Sequence, residues 1–139
     1  MSTETTAARD RAILIVDDEP LILIALRREL RSGLGASYLY ETATDGESGL
    51  RAVEELVADG VMVALVVSDW LMPGMKGDEF LMILRSRYPS IRTIMMTGQA
   101  DESQVERIRT AGALDAFFLK PWNALRFSET CKSLLGMTA

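Results

Sequence analysis

Short apolar segments alternate with stretches of helical periodicity along almost the whole chain. In the second helical stretch, for example, Leu50, Val53 and Val57 recur at the spacing that turns apolar side chains towards one face. Strict alternation of this kind predicts an α/β domain with a parallel sheet, right-handed crossovers and helices on both faces. The predicted strands span residues 12–16, 37–43, 63–68, 91–96 and 116–119, and the predicted helices begin near residues 19, 45, 77, 101 and 122.

Length and composition fit a single globular domain. The chain has 139 residues, of which 48% are hydrophobic and 25% charged, so it can bury a sizeable core and fold without disulfides or structural metal ions. Its formal net charge of −5 argues against direct nucleic-acid binding and against an anionic membrane surface. No apolar run approaches the length that spans a bilayer. Residues 1–10 lack the apolar core of a secretory signal, so we expect a flexible N-terminal arm followed by one domain over residues 11–139.

Cysteine and histidine usage narrows the chemistry. Cys131 is the single cysteine, so no intramolecular disulfide is possible and a reducing, cytoplasmic location is the simplest expectation. The chain contains no histidine. That absence excludes histidine general bases, histidine metal ligands and Ser-His-Asp triads.

One aspartate stands where a buried strand must stop. The apolar run of residues 63–67 leads through Ser68 to Asp69, and Pro73 and Gly74 prevent the strand from continuing. In an open parallel sheet, ligands bind beyond the carboxyl ends of the strands. Asp69 alone could equally hydrogen-bond its own loop in an Asx-turn, so the other strand ends decide between the two interpretations.

Three further strands also end in residues whose side chains could bind a ligand or take part in a reaction. The first ends at Asp17 and Asp18, the fourth at Thr97 and the fifth at Lys120, whereas the second ends only in Ala43 and Thr44. Each has a structural alternative: the aspartates could cap a helix, the threonine could begin a turn, and the lysine could be solvated. Together with Asp69 they place all candidate chemistry on one rim of the sheet, which favours a ligand site.

This ordered set of motifs resembles the receiver domain of two-component response regulators from about residue 12 to residue 135. The resemblance implies a flavodoxin-like (βα)5 three-layer sandwich with strand order 2-1-3-4-5, which brings Asp17, Asp18 and Asp69 together. The motifs that carry it are Ile15-Val16-Asp17-Asp18-Glu19-Pro20, Ser68-Asp69-Trp70-Leu71-Met72-Pro73-Gly74-Met75, Thr97-Gly98 and Lys120-Pro121-Trp122. In this family the Lys-Pro bond is often cis.

A cluster of three carboxylates calls for a cation. At about 4 Å and an effective dielectric of 20, two carboxylates repel by about 4 kcal/mol. All-oxygen ligands suit a hard divalent ion, and Mg²⁺ with several retained waters fits best. The resemblance implies that Asp18 and Asp69 bind Mg²⁺ directly, that Asp17 supports it through water, and that the backbone carbonyl of Leu71 completes the protein ligands.

The resemblance also assigns the reaction. Asp69 accepts a phosphoryl group from a histidine of a sensor kinase or a phosphotransfer protein, and Lys120 and Thr97 neutralise and bind its oxygens. The resemblance thus implies a phosphoacceptor that assists its own phosphorylation and dephosphorylation, not an enzyme in the ordinary sense. Leu71 and Gln99 occupy the two positions that tune the lifetime of the acyl phosphate in the family.

The signal is expected to reach a protein surface. By resemblance, Thr97 moves towards the phosphoryl oxygens and an aromatic side chain on the fifth strand swings inward. Phe117 occupies the position of that aromatic residue. The readout surface would be the fourth helix, the fifth strand and the fifth helix, acting on a downstream effector protein or effector domain or forming a homodimer. Phe117 could equally be a core residue, and it lacks the phenolic hydroxyl frequent at this position.

Two other functions and one further motif compete with this interpretation. A phosphatase of the haloacid-dehalogenase type also uses an aspartate nucleophile and Mg²⁺, but it requires a second aspartate two residues later, where Leu71 stands after Asp69. A receiver-like module that is never phosphorylated is the other alternative. Gly77-Asp78-Glu79-Phe80 matches part of a diguanylate cyclase signature, but it is predicted to open an amphipathic helix, so we interpret the match as chance.

Overall fold

A computed structural model describes residues 10–99 and 101–137. Over these residues, five strands alternate with five helices. Their bounds are β1 Arg11–Val16, α1 Pro20–Leu34, β2 Leu39–Ala43, α2 Gly46–Ala58, β3 Met62–Ser68, α3 Gly77–Arg87, β4 Arg92–Thr97, α4 Glu102–Thr110, β5 Ala116–Leu119 and α5 Ala124–Leu134. The predicted arm of residues 1–10 lies outside the described residues except for Asp10.

The five strands form one parallel sheet in the order β2-β1-β3-β4-β5, which confirms the predicted flavodoxin-like topology. At the carboxyl end, Val16 of β1 lies beside Ser68 of β3. The amide of Asp69 donates to the Val16 carbonyl at 2.9 Å, so the pairing continues one residue past β3. This register places the residues that follow β1 and β3 next to one another.

Two apolar layers cover the sheet and complete the three-layer sandwich. One face of the sheet packs against α2, α3 and α4, with Phe80 and Ile108 among the buried side chains. The other face packs against α1 and α5, where Leu30, Phe127 and Cys131 are buried. Cys131 is therefore a packing residue, as its place in an amphipathic stretch predicts. In the described part of the chain, no helix combines the length and the apolarity that crossing a membrane requires.

The inner face of α2 differs from the predicted one. Val53 is buried, but Val57 is 44% exposed, so the expectation that Val57 points inward is wrong. The reason lies in two glycines, because Gly46 and Gly49 let this helix approach the core closely. A β-carbon on Gly49 would stand 2.9 Å from the Phe80 ring. This close contact sets the rotation of α2, and the inner line continues from Val53 to the half-buried Leu56.

Candidate functional site

The carboxyl ends of β1, β3, β4 and β5 and the loops that follow them carry the acidic, threonine and lysine residues predicted from the sequence. All four strands are parallel, so their carboxyl ends open on one edge of the sheet. A cavity of about 290 Å³ lies there, lined by Asp18, Glu19, Asp69, Leu71, Thr97, Gly98, Gln99 and Lys120. The structure therefore brings the residues expected to accept a phosphoryl group around one opening.

Asp17, Asp18 and Asp69 form a compact acidic cluster. Each offers a carboxylate oxygen that lies within 4.8 Å of the other two. Asp17 and Asp69 are buried, with 1% and 6% of their surface exposed, whereas Asp18 is exposed. The register of β1 and β3 produces the cluster, since residues 17 and 69 follow paired strand ends.

Backbone amides orient the two buried carboxylates. The Glu19 amide donates to Oδ1 of Asp17 at 2.9 Å, and the Trp70 amide donates to Oδ1 of Asp69 at 2.7 Å. Each carboxylate therefore has one oxygen held by its own loop. Its other oxygen, Oδ2, is available for a partner from elsewhere in the fold.

Lys120 reaches both of these free oxygens. Its Nζ donates to Oδ2 of Asp17 at 2.7 Å and to Oδ2 of Asp69 at 3.2 Å. The ammonium also lies 3.7 Å from Oε1 of Glu19. Only 13% of the lysine side chain is exposed. An ammonium this deeply placed offsets part of the repulsion that three neighbouring carboxylates create.

The pKa shifts in the cluster follow from burial and from these contacts. Burial raises the pKa of Asp17 above its ordinary value, and the hydrogen bond from Lys120 only partly opposes that effect. Burial acts to lower the pKa of Lys120, but the hydrogen bond to Asp17 and the charge of Asp69 outweigh it, so this pKa is raised. Lys120 therefore stays protonated at neutral pH and places a positive charge beside Asp17 and Asp69.

Thr97, Leu71 and Gln99 line the cavity beside the acidic cluster. Thr97 is buried at the end of β4, and its hydroxyl accepts a 3.4 Å hydrogen bond from the Gln99 amide. Leu71 is 42% exposed. The Lys120–Pro121 bond is cis, as the family resemblance led us to expect.

Phe117 lies apart from this cavity. It is half-buried on β5 and packs against the apolar layer formed with α2, α3 and α4. It faces a second opening, of about 500 Å³, that α4 lines with residues such as Val105 and Arg109. Phe117 therefore contacts the predicted readout surface rather than the acidic cluster.

The prediction missed two contributors to the site. Glu19 was given no role in the site beyond its place in a family motif and at the start of a helix, yet its carboxylate lies near Lys120 and its amide orients Asp17. The Trp70 amide orients Asp69 through a hydrogen bond that no side-chain pattern reveals. The acidic run at residues 17–19 could have indicated the first of these, whereas a backbone contact leaves no signal in the sequence.

The donor set fits a magnesium ion. Two oxygens on opposite sides of Mg²⁺ stand about 4.2 Å apart, given bonds of about 2.1 Å. Adjacent oxygens stand about 3.0 Å apart, and the cluster oxygens lie within 4.8 Å of one another, so the carboxylates would draw closer around the ion or contact it through retained waters. The three clustered aspartates and Lys120 carry a formal charge of −2, and Glu19 beside Lys120 adds a further negative charge, so a divalent cation offsets most of the excess.

Comparison with known proteins agrees with this site. The response regulator receiver domain model matches residues 13–132. The chain is 31% identical over 131 residues to the sensor kinase CckA of Brucella abortus, covering 94% of this chain and 13% of that protein. It is 28% identical over 125 residues to the phosphate regulon transcriptional regulatory protein PhoB of Rhizobium meliloti, covering 88% of this chain and 51% of that protein. The chain thus spans about half or less of these curated relatives.

Two solved structures share both fold and sequence with it. A CheY-like response regulator receiver domain protein from Methanospirillum hungatei superposes with a TM-score of 0.78 at 28% identity, covering 91% of this chain and 94% of that one. The response regulator TrrA of Thermotoga maritima, solved with Mg²⁺ and BeF, gives a TM-score of 0.73 at 30% identity, covering 90% and 99%. The chain belongs to the response regulator receiver domain family.

Proposed function

We propose that this domain accepts a phosphoryl group on Asp69 in a Mg²⁺-dependent reaction of two-component signalling. Receiver domains are the partners of histidine kinases, and the donor is a phosphohistidine of a sensor kinase or a phosphotransfer protein. The observation that supports this most directly is the meeting of Asp17, Asp18 and Asp69 with Lys120 at one rim of the sheet. The absence of histidine from this chain agrees with a donor on another protein.

The metal would be held by Asp18, Asp69 and the Leu71 carbonyl, with Asp17 supporting it through water. When bound, Mg²⁺ supplies positive charge opposite the phosphoryl oxygens and a template for their orientation. Asp18 is the exposed member of the cluster and faces the cavity, which suits direct contact with an ion entering from solvent.

The side chains of this protein supply the nucleophile and the remaining charge. A carboxylate oxygen of Asp69 forms a bond to phosphorus while the phosphorus–nitrogen bond of the donor breaks and its electron pair returns to the imidazole. The Trp70 amide fixes the orientation of the attacking carboxylate. Lys120, already within hydrogen-bond distance of Asp69, neutralises the transferred group, and the Thr97 hydroxyl lies at the same cavity to donate to it.

The response would pass through Thr97 and Phe117 to the surface formed by α4, β5 and α5. Thr97 lines the acceptor cavity, and Phe117 lines the opening beside α4, so the two residues face the two regions that must communicate. A downstream effector, in another protein or in a further domain, would read that surface.

Intact-protein mass spectrometry after incubation with acetyl phosphate tests this function. We expect wild-type protein to gain one phosphoryl group with Mg²⁺ and none with a chelator, and Asp69→Asn to gain none. Asp45→Asn is a matched control, because Asp45 follows β2 on the same rim but lies outside the cluster, where it caps α2 through the Ser48 amide. Labelling of Asp69→Asn would contradict the acceptor, and sustained hydrolysis of a phosphate ester would favour the phosphatase alternative.

A further inference from the structure

The segment that matches part of a cyclase signature begins α3, as predicted, and its first two residues tie the acceptor loop to α4. Gly77 packs directly against the backbone of Asp69 and Trp70. Its amide donates to the Trp70 carbonyl at 2.9 Å, and a β-carbon at this position would collide with the Asp69 carbonyl. The loop after the acceptor therefore closes tightly on itself, and α3 starts in contact with the Asp69 backbone.

Asp78, the next residue, carries a buried carboxylate. Only 8% of its side chain is exposed. Its Oδ1 accepts from the Glu79 amide at 3.0 Å, and its Oδ2 accepts from Nη2 of Arg107 at 2.8 Å. A carboxylate at this depth requires a charged partner, since an unpaired buried charge is costly. Arg107 supplies that charge from α4, across 29 residues of chain.

The attachment of α4 to the rest of the fold is otherwise slight. Of the described residues of α4, the side chains of Val105 and Ile108 are the buried ones, and the remaining positions are largely polar and exposed. Arg107 is itself aligned by a 2.9 Å hydrogen bond to Gln104 on the preceding turn. The ion pair thus adds a direct polar contact between α4 and α3 to the apolar contacts of Val105 and Ile108.

We propose that the Asp78–Arg107 ion pair restrains α4 and thereby opposes the response to phosphorylation of Asp69. This inference rests on the proposed function, because it assumes that α4 moves when Asp69 carries a phosphoryl group. In the arrangement where Lys120 bonds the Asp69 carboxylate, Arg107 bonds Asp78. A displacement of α4 away from α3 that exceeds the reach of the Arg107 side chain breaks that 2.8 Å bond, so the pair favours the present arrangement.

Binding of beryllofluoride, a phosphoryl mimic, in the presence of Mg²⁺ measures this restraint. The intrinsic fluorescence of the two tryptophans, Trp70 beside the acceptor and Trp122 after Pro121, reports the titration. We expect Arg107→Gln to bind the mimic about twofold to fivefold more tightly than wild type, the range by which one partly exposed ion pair can shift a two-state equilibrium. Arg107→Lys keeps the charge and should return the affinity towards the wild-type value. Faster amide hydrogen exchange in α4 should accompany the tighter binding.

Arg87→Gln is the matched control, because Arg87 forms a partly exposed ion pair with Glu54 of α2 and does not bridge to α4 within the described part of the chain. It should bind the mimic as wild type does. Equal or weaker binding by Arg107→Gln would overturn the restraint while leaving the proposed function intact. Failure of wild-type protein to bind the mimic at all would instead overturn the proposed function, and the restraint with it.

Discussion

Replacing Asp18 by asparagine should make the metal-free protein more stable. Asp18 contributes a carboxylate oxygen within 4.8 Å of those of Asp17 and Asp69 but receives no hydrogen bond from Lys120, so its charge is repelled more than it is attracted. At that distance a pair of charges in water repels by about 0.9 kcal/mol, and at an effective dielectric of 20 by about 3.5 kcal/mol. Because Asp18 is exposed, the smaller value applies to each of its two pairs.

The nearby Lys120 ammonium attracts Asp18 and cancels about one of these two repulsions. We therefore expect Asp18→Asn to stabilise the protein by about 1 kcal/mol at low ionic strength with a chelator, or about 3 °C in melting temperature. Salt should reduce the gain, because exposed charges are screened. In Mg²⁺ the order should reverse. Wild-type protein gains about 2.7 kcal/mol at a metal concentration one hundred times its Kd. The Asp18→Asn variant lacks one carboxylate ligand of the metal, so Mg²⁺ should stabilise it less than it stabilises wild type.

Thermal melts followed by circular dichroism test whether Asp18→Asn melts above wild type with a chelator and below it with Mg²⁺. Glu55→Gln is the control, since Glu55 is an exposed carboxylate on α2 that forms no ion pair within the described residues. A variant Asp18→Asn that melts below wild type in chelator would refute the reasoning, because the charge would then be attracted on balance. Equal stabilisation of both proteins by Mg²⁺ would remove Asp18 from the metal site.

Three further changes probe the acceptor loop, Lys120 and the buried core. Gly77→Ala should destabilise the fold by about 1–3 kcal/mol, because its β-carbon meets the Asp69 carbonyl, and urea unfolding measures the loss. Lys120→Ala should still be labelled by acetyl phosphate, but the fluorescence change on labelling should shrink; an undiminished change would exclude Lys120 from the response. Burial raises the pKa of Tyr40 to about 12 from 10.0, so the stability that its neutral phenol contributes is complete below pH 10 and is lost as the pH rises towards 12. Tyr40→Phe should flatten that decline in melting temperature, and an equally steep decline would assign it to other groups.

Local periodicity predicted most of the fold because it depends on residues close together in the chain. The apolar segments around β1, β3 and β4 could be recognised without any tertiary information, and their alternation with helices implied a parallel sheet. Where the structure differs, at Val57, the cause is the contact between Gly49 and Phe80, two residues far apart in the sequence. A helical pattern indicates that one face is buried, but the contact with a neighbouring helix decides its rotation.

The candidate site divides in the same way. The sequence by itself determined that Asp17, Asp18, Asp69, Thr97 and Lys120 follow strand ends, because a strand must stop where apolar residues give way to loop formers. Only the tertiary structure decided which atoms meet. The Lys120 ammonium reaches Asp17 across 103 residues of chain, and Arg107 reaches Asp78 across 29. No short-range pattern encodes such contacts, because they depend on the register of the strands and on side chains finding a partner for a buried charge.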